Sequence, residues 1–138
     1  MKRTKLTTKL IAVVMAVLIA SSTMLMAGCG PYSSHYSAIG FVNSNDSHSA
    51  YMSFYKFKGT MSFKLRCDAD STLIYSASLE SGDITVYYDA GNGKEVLLTV
   101  GSGDAEDGVV PLNRAGKVYV IVESNGSCEN GSFRFRIG

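Results

Sequence analysis

The side chains that could do chemistry in this chain are carboxylates, cations and thiols, with very little histidine. Asp104, Glu106 and Asp107 crowd a stretch that opens Gly101-Ser102-Gly103 and closes at Gly108. A hard cation such as calcium takes about six to eight oxygen ligands, so these three make a candidate metal loop; the alternative is a solvated acidic loop. Asp89 to Lys94 offers no EF-hand, because Gly91 and Gly93 stand at its third and fifth positions, where oxygen-bearing side chains are needed. Lys56, Lys58, Lys64, Arg66, Arg134 and Arg136 come in pairs spaced by two, which puts each pair on one side of an extended chain. They read either as a positive face for an anionic polymer or as cations that keep exposed strands soluble and unpaired. Tyr55, Tyr75, Tyr87, Tyr88 and Tyr119, in a chain without Trp, are a candidate glycan platform or ordinary strand tyrosines. His35 and His48 both fall in a polar stretch read below as a tether, where no rigid neighbour orients a catalytic base. No Cys or His pair inside the folded part has zinc-ligand spacing. The chain is read as a non-enzyme that needs no cofactor.

Cys29 belongs to a different chemistry. Lys2, Arg3, Lys5 and Lys9 form a basic start, an apolar run covers Leu10 to Ala20, and Met26-Ala27-Gly28 precede the cysteine. A charged segment, a short apolar segment and small residues before a cut describe a secretory signal. The apolar run is shorter than the roughly 20 residues that span a bilayer. Ala27-Gly28-Cys29 resembles a bacterial lipobox, with Met26 where Leu is usual; this implies cleavage after residue 28 and a diacylglycerol thioether on Cys29. The protein is then expected on the extracytoplasmic face of the cell membrane, held by that lipid. Loss of residues 1–28 removes four of thirteen basic residues and no acidic one, taking the net charge from +1 to −3. Such a chain has no electrostatic reason to seek nucleic acid. Lipidation would leave Cys67 and Cys128 as a pair in a compartment where disulfides persist. Either they bridge, contributing about 3–5 kcal/mol through loop closure, or they are two buried thiols.

The elements that position these residues are strands. Residues 29–50 are polar, with Ser, Asn, Gly and His and little periodicity, and read as the lipidated cysteine followed by a flexible tether. From residue 51 to 138 the period is two. Met61, Phe63, Leu65 and Cys67 alternate with Ser62, Lys64 and Arg66, and Phe133, Phe135 and Ile137 alternate with Arg134 and Arg136. Val118 to Val122 is continuously apolar, which suits a central strand. Asn92-Gly93 marks a hairpin, and Pro111 places its strand at an edge. The count is about eight strands over 51–57, 60–67, 72–78, 84–88, 94–100, 109–112, 117–124 and 132–137. No helical period competes, so the fold is expected to be all-β, an antiparallel, jelly-roll-like β-sandwich.

Lys58-Gly59-Thr60 leading into Met61–Leu65, Ile84–Asp89 before a Gly/Asn turn, Ala115–Val122, and the closing Gly131-Ser132-Phe133-Arg134-Phe135 carry a family pattern. Their order over residues 51–138 resembles the bacterial pre-peptidase C-terminal domain and small lipoproteins that carry such a domain alone. The paired acidic residues that often precede the fourth strand there are represented by Asp83 only. The resemblance implies an accessory, non-catalytic module with a binding or structural role. Its expected partners are a cell-wall polymer, a glycan or another envelope protein.

Overall fold

The computed structural model describes residues 31–138; the expected signal segment, residues 1–28, and the expected lipidation site Cys29 lie outside the described residues. Nine strands form among them: β1 (His35–Ile39), β2 (Val42–Asn45), β3 (Ser49–Cys67), β4 (Thr72–Ser81), β5 (Ile84–Asp89), β6 (Glu95–Val100), β7 (Ala105–Pro111), β8 (Gly116–Ser124) and β9 (Cys128–Ile137). Every pairing is antiparallel, in the order β6-β5-β8-β3-β9-β4-β7, with β1 and β2 also paired to β3. The chain is an all-β sandwich whose two layers are continuous through one long strand.

That strand is β3, and its sequence explains how it serves both layers. Ala50, Met52 and Phe54 point inward at even positions, whereas Phe57, Phe63, Leu65 and Cys67 point inward at odd ones. The parity changes across Tyr55 and Lys56, two consecutive outward residues, and the strand bends there. Its first half pairs with β9, from Ser49↔Arg136 to Phe57↔Cys128. Its second half pairs with β8, from Thr60↔Glu123 to Cys67↔Gly116. Straight, the run from Ala50 to Lys64 would span roughly 46 Å. Yet Asn45, the register partner of Ala50, donates from Nδ2 to the Lys64 carbonyl at 3.1 Å, and the Arg66 N–H donates to the Ser47 carbonyl at 2.7 Å. The strand therefore doubles back and closes the sandwich.

Gly59 lies just past the bend. Its φ is +131°, and a Cβ there would lie 2.6 Å from the Tyr36 Cα. Only a glycine lets β1 cross so closely. The sequence reading of Lys58-Gly59 as a turn between two strands is corrected accordingly: 51–57 and 60–67 are one strand of 19 residues. A second correction concerns residues 34–50, expected as a flexible tether. They form β1 and β2, hydrogen-bonded along β3, and Ser34–Gly138 is one compact unit. Almost all their side chains are exposed. Backbone pairing rather than apolar burial holds them, so no apolar period betrays them.

The core is aromatic and aliphatic. Phe57, Phe63, Phe133, Phe135, Met52, Leu65 and Leu73 are fully buried, and no polar or charged residue is buried among the described residues. Phe54 stacks on Phe57 at 5.1 Å and on Phe133 at 6.3 Å, and the row continues outward through Tyr36 and Phe41. Offset aromatic pairs of this kind add to their area burial.

Candidate binding face

The structure separates the predicted cations. Lys64 and Arg66 pair across to Tyr119 and Lys117 on β8. Lys56 and Lys58 pair with Ile39 and Ser37 at the bend, where Lys56 also meets Glu129 at 3.9 Å. Arg134 and Arg136 lie on β9 between the first half of β3 and β4. The single positive face expected from the six residues is therefore corrected to three pairs on different parts of the sandwich. The cause is the bend in β3: Lys56 still pairs with Glu129 at the start of β9, far along that strand from Arg134 and Arg136, whereas Lys64 and Arg66 beyond the bend pair with β8.

The Arg134–Arg136 pair has the most developed surroundings. Register fixes a row of side chains on the outer face of the layer: Ser44, Tyr51, Arg134, Ser76 and Asp107, from β2 across to β7. The next row is Ser49, Arg136, Ile74 and Val109. Arg134 and Arg136 flank a groove of about 270 Å³ with Ile74, Tyr75 and Ser76. Two residues apart on a strand, their backbones are roughly 7 Å from one another. Among the described residues the ion pairs are Lys56–Glu129 and Lys94–Glu123, neither of which engages these arginines.

Tyr51 completes the face. The hydroxyls of Ser53 and Ser132 hydrogen-bond its phenol and, with the nearby Arg134 charge, hold it below the usual phenol range. Those serines are register partners two residues along from Tyr51, so the ring is drawn along the sheet rather than standing off it. The Arg134 guanidinium carbon is 5.3 Å from the ring centroid, a cation–π distance. Tyr51 was absent from the tyrosines singled out above. The outward alternation opposite Ala50, Met52 and Phe54 is the signal that could have found it.

The named tyrosines do not assemble into a platform. Tyr75 leans across its partner Gly108, Tyr87 lies beneath Lys94 at 4.1 Å, Tyr88 packs against the core, and Tyr55 is exposed at the bend. Burial and the Glu95 carboxylate push the Tyr88 phenol up.

The acidic trio does not converge either. Asp104 turns back to accept the Gly101 N–H at 2.8 Å, while Glu106 and Asp107 are consecutive residues of β7 and point to opposite faces. Among the described residues no group of three metal-ligating side chains forms. The expected loop at 101–108 is thus half strand, because an edge strand exposed on both sides shows no apolar period.

Of the two readings of the cysteine pair, the structure shows two buried thiols and no bridge. Cys67 pairs with Gly116 at one end of β8, and Cys128 lies by Asp83 at the other, beyond Ser124. The length of β8 puts them roughly 26 Å apart, against the ~7 Å limit between bridged Cα atoms. Both are buried free thiols. Cys67 donates to the Arg114 carbonyl at 2.9 Å and Cys128 to the Asp83 carbonyl at 3.4 Å. Burial, followed by the Asp68 charge, pushes Cys67 up; burial alone leads the rise at Cys128.

His35 lies on β1 and His48 in the β2–β3 turn, so both are on ordered backbone and not on a loose linker. His48 Nδ1 is 2.9 Å from Ser47 Oγ, but the neighbouring Asp46 is occupied by the turn itself, accepting from the N–H groups of His48 and Ser49 and from the Ser49 hydroxyl. Among the described residues no third group is seen to orient the imidazole as a triad requires.

No family model matches the chain, and no curated protein matches it. Solved structures are similar to it at low identity. PliG of Aeromonas hydrophila, a periplasmic lysozyme inhibitor of g-type lysozyme, is 18% identical over 67% of this chain and 88% of its own, with a TM-score of 0.46. TmCBM61, solved in complex with β-1,4-galactotriose, is 12% identical over 79% of this chain and 88% of its own, with a TM-score of 0.45. A cupin superfamily protein of Desulfitobacterium hafniense is 15% identical over 76% of this chain and 77% of its own, at 0.32. What each of these proteins binds is a property of that protein.

Proposed function

We propose that this chain is a lipid-anchored, non-catalytic binding protein of the extracytoplasmic membrane face, taking an anionic cell-wall glycan polymer on the outer face of β3, β9 and β4. The observation that carries the ligand class is the pairing of Arg134 and Arg136 around one groove beside a sheet-hugging Tyr51. Guanidinium groups present planar, forked donors that suit phosphate and carboxylate oxygens. A flat aromatic ring accepts the apolar face of a sugar. Ser76 and Asp107 continue the same row toward β7 and offer further hydrogen-bonding groups to a chain laid across the strands. The anchoring half of the reading rests on the basic start and on Met26-Ala27-Gly28-Cys29. The resemblance to the pre-peptidase C-terminal domain belongs to the same proposal, as an accessory module.

Calorimetric titration with purified wall teichoic acid and with a neutral polysaccharide tests the ligand. Saturable, salt-sensitive binding of the polyanion is expected, lost about tenfold or more in an Arg134→Ala/Arg136→Ala variant that melts like the parent, since each charge-assisted pair contributes about 1.5–3 kcal/mol. Binding of the neutral glycan that survives the arginine changes but not Tyr51→Ala would transfer the site to the ring. Absence of binding to both sinks the ligand proposal. Anchoring is tested separately: Cys29→Ala is expected to leave an unlipidated precursor, and an unchanged lipid mass in that variant defeats it.

A further inference from the structure

We propose that the apolar corner formed by Ile39, Val42 and Tyr55, flanked by Lys56 and Lys58, is the surface on which this domain rests against the bilayer that carries its anchor. The inference depends on the proposed lipidation of Cys29 and adds an orientation to it.

The corner is unusually apolar for an exposed strand edge. Ile39 is 60% exposed, Val42 58% and Tyr55 52%, and with Tyr36 they are four of the six exposed large apolar side chains among the described residues. Register makes them neighbours, because Ile39 pairs with Lys56 and Val42 with Ser53, while the intervening Gly40 faces Tyr55 with 3.2 Å between its would-be Cβ and the tyrosine Cβ. Gly40, at φ +61°, makes the corner between β1 and β2 that turns Ile39 and Val42 outward on either side. Beneath them Phe41 packs on Tyr36 at 4.8 Å and on Phe57 at 6.1 Å, so the patch stands on a rigid aromatic base. Lys58 is exposed alongside, and Lys56 holds its one carboxylate partner, Glu129, at only 3.9 Å. Apolar side chains rimmed by lysines suit the headgroup–acyl boundary of an anionic bilayer.

The length of chain leading to the domain selects a membrane as the occupant. The approach to β1 is tied down at Ser34, whose hydroxyl accepts the Ser62 N–H at 2.9 Å. Four residues separate it from Cys29, so across five Cα–Cα steps the lipidated cysteine lies within about 18 Å of Ser34 even when the chain is fully extended. Ile39 is five strand residues along β1 from the same point, roughly 17 Å away. Covalent reach alone therefore keeps a lipidated Cys29 no farther from Ser34 than about the length of β1.

The chain has no Trp, so single substitutions give an unambiguous probe. Full-length Tyr55→Trp and Val109→Trp lipoproteins would be reconstituted through their own anchors into phosphatidylglycerol-containing vesicles, with and without brominated acyl chains. Val109 lies on β7, four strands across the layer from β2. Burial of the corner a few Å into the boundary region should blue-shift the Tyr55→Trp emission and quench it about twofold with brominated lipid, leaving Val109→Trp unchanged. Ile39→Trp should repeat the result. A protein carrying the diacylglycerol mass whose Tyr55→Trp emission is indifferent to bromine overturns the docking proposal alone. A protein without that mass overturns anchoring, and docking with it. A blue shift without quenching, accompanied by crosslinked dimers, would assign the corner to a second copy and also refute the proposal.

Discussion

Replacing Gly59 by alanine should be the most damaging single-methyl change in the chain. Two costs combine at that site. The φ of +131° belongs to a region that side-chain-bearing residues avoid at about 1–3 kcal/mol. The new methyl would also lie 2.6 Å from the Tyr36 Cα and 2.9 Å from its Cβ. Backbone cannot rotate aside, so β1 must move by nearly 1 Å to restore ordinary contact. That movement loosens the ladder from His35↔Thr60 to Ile39↔Lys56, the Ser34–Ser62 bond and the Tyr36–Phe57 stack at 5.6 Å. With each net hydrogen bond contributing about 1 kcal/mol, the total comes to about 3–5 kcal/mol. In a domain near 100 residues, 3 kcal/mol lowers the melting temperature by roughly 12–20 °C. Gly103→Ala separates the two costs, because Gly103 has φ +81° but nothing within 4 Å of its would-be Cβ. Urea titration of both variants, with limited proteolysis to report cleavage in residues 34–45, is the assay. Equal losses in the two variants, or a Gly59→Ala loss below about 1 kcal/mol, would refute the view that β1 is clamped over a glycine.

Phe133→Ala, at a fully buried position stacked against Phe54, is expected to cost about 3–5 kcal/mol by urea denaturation; a loss under half of that would mean the core repacks freely. Reduction should leave the melting temperature unchanged, and both Cys67 and Cys128 should alkylate fully on unfolding without reductant, whereas a bridge of this span would make reduction cost about 4 kcal/mol. Asp46 is held below the usual carboxylate range first by the His48 N–H, then by the Ser49 hydroxyl and N–H. Its folded pKa is depressed, so its support of the β2–β3 turn is present above the ordinary carboxylate pKa and is lost as pH falls through the folded value. Carboxyl-carbon NMR titration should find that midpoint below the ordinary range, with faster amide exchange at His48 and Ser49 under acid; an unshifted midpoint contradicts the turn geometry.

Where one side of a strand met the core and the other met water, the sequence was plain to read. Phe63, Leu65, Phe133 and Phe135 face inward as their alternation requires, with Arg134 and Arg136 outward, and Pro111 ends an edge strand as its missing N–H demands. The losses occurred where that contrast vanishes. β1 and β2 are wet on nearly every side chain and β7 is exposed along most of its length, so polarity there mimics a tether or a loop. Gly59 looked like a turn because a glycine that ends a strand and a glycine that lets another strand cross are the same letter. Cys67 and Cys128 are both buried, as their positions suggested, but only the path of β8 reveals that they occupy opposite ends. The candidate face was half legible: the paired arginines were evident and Tyr51 was readable from its alternation with Ala50 and Met52, but only the bend in β3 decides which cation pairs share a face.

β9 is the last in order of the nine described strands and lies between β3 and β4. The layer therefore has a gap at its centre until residues 128–137 exist. β4 has β7 on its outer side but nothing joining it to β3, and the inward faces of both remain open to water. At ordinary synthesis rates of about 5–20 residues per second, β3 waits roughly 4–14 s for its partner. A layer built this way cannot close before residues 128–137 have been made. Nascent chains arrested before Gly131 should accordingly remain protease-sensitive throughout. Late insertion of a central strand thus sets the moment at which this layer can close, whatever the order in which the other strands have paired.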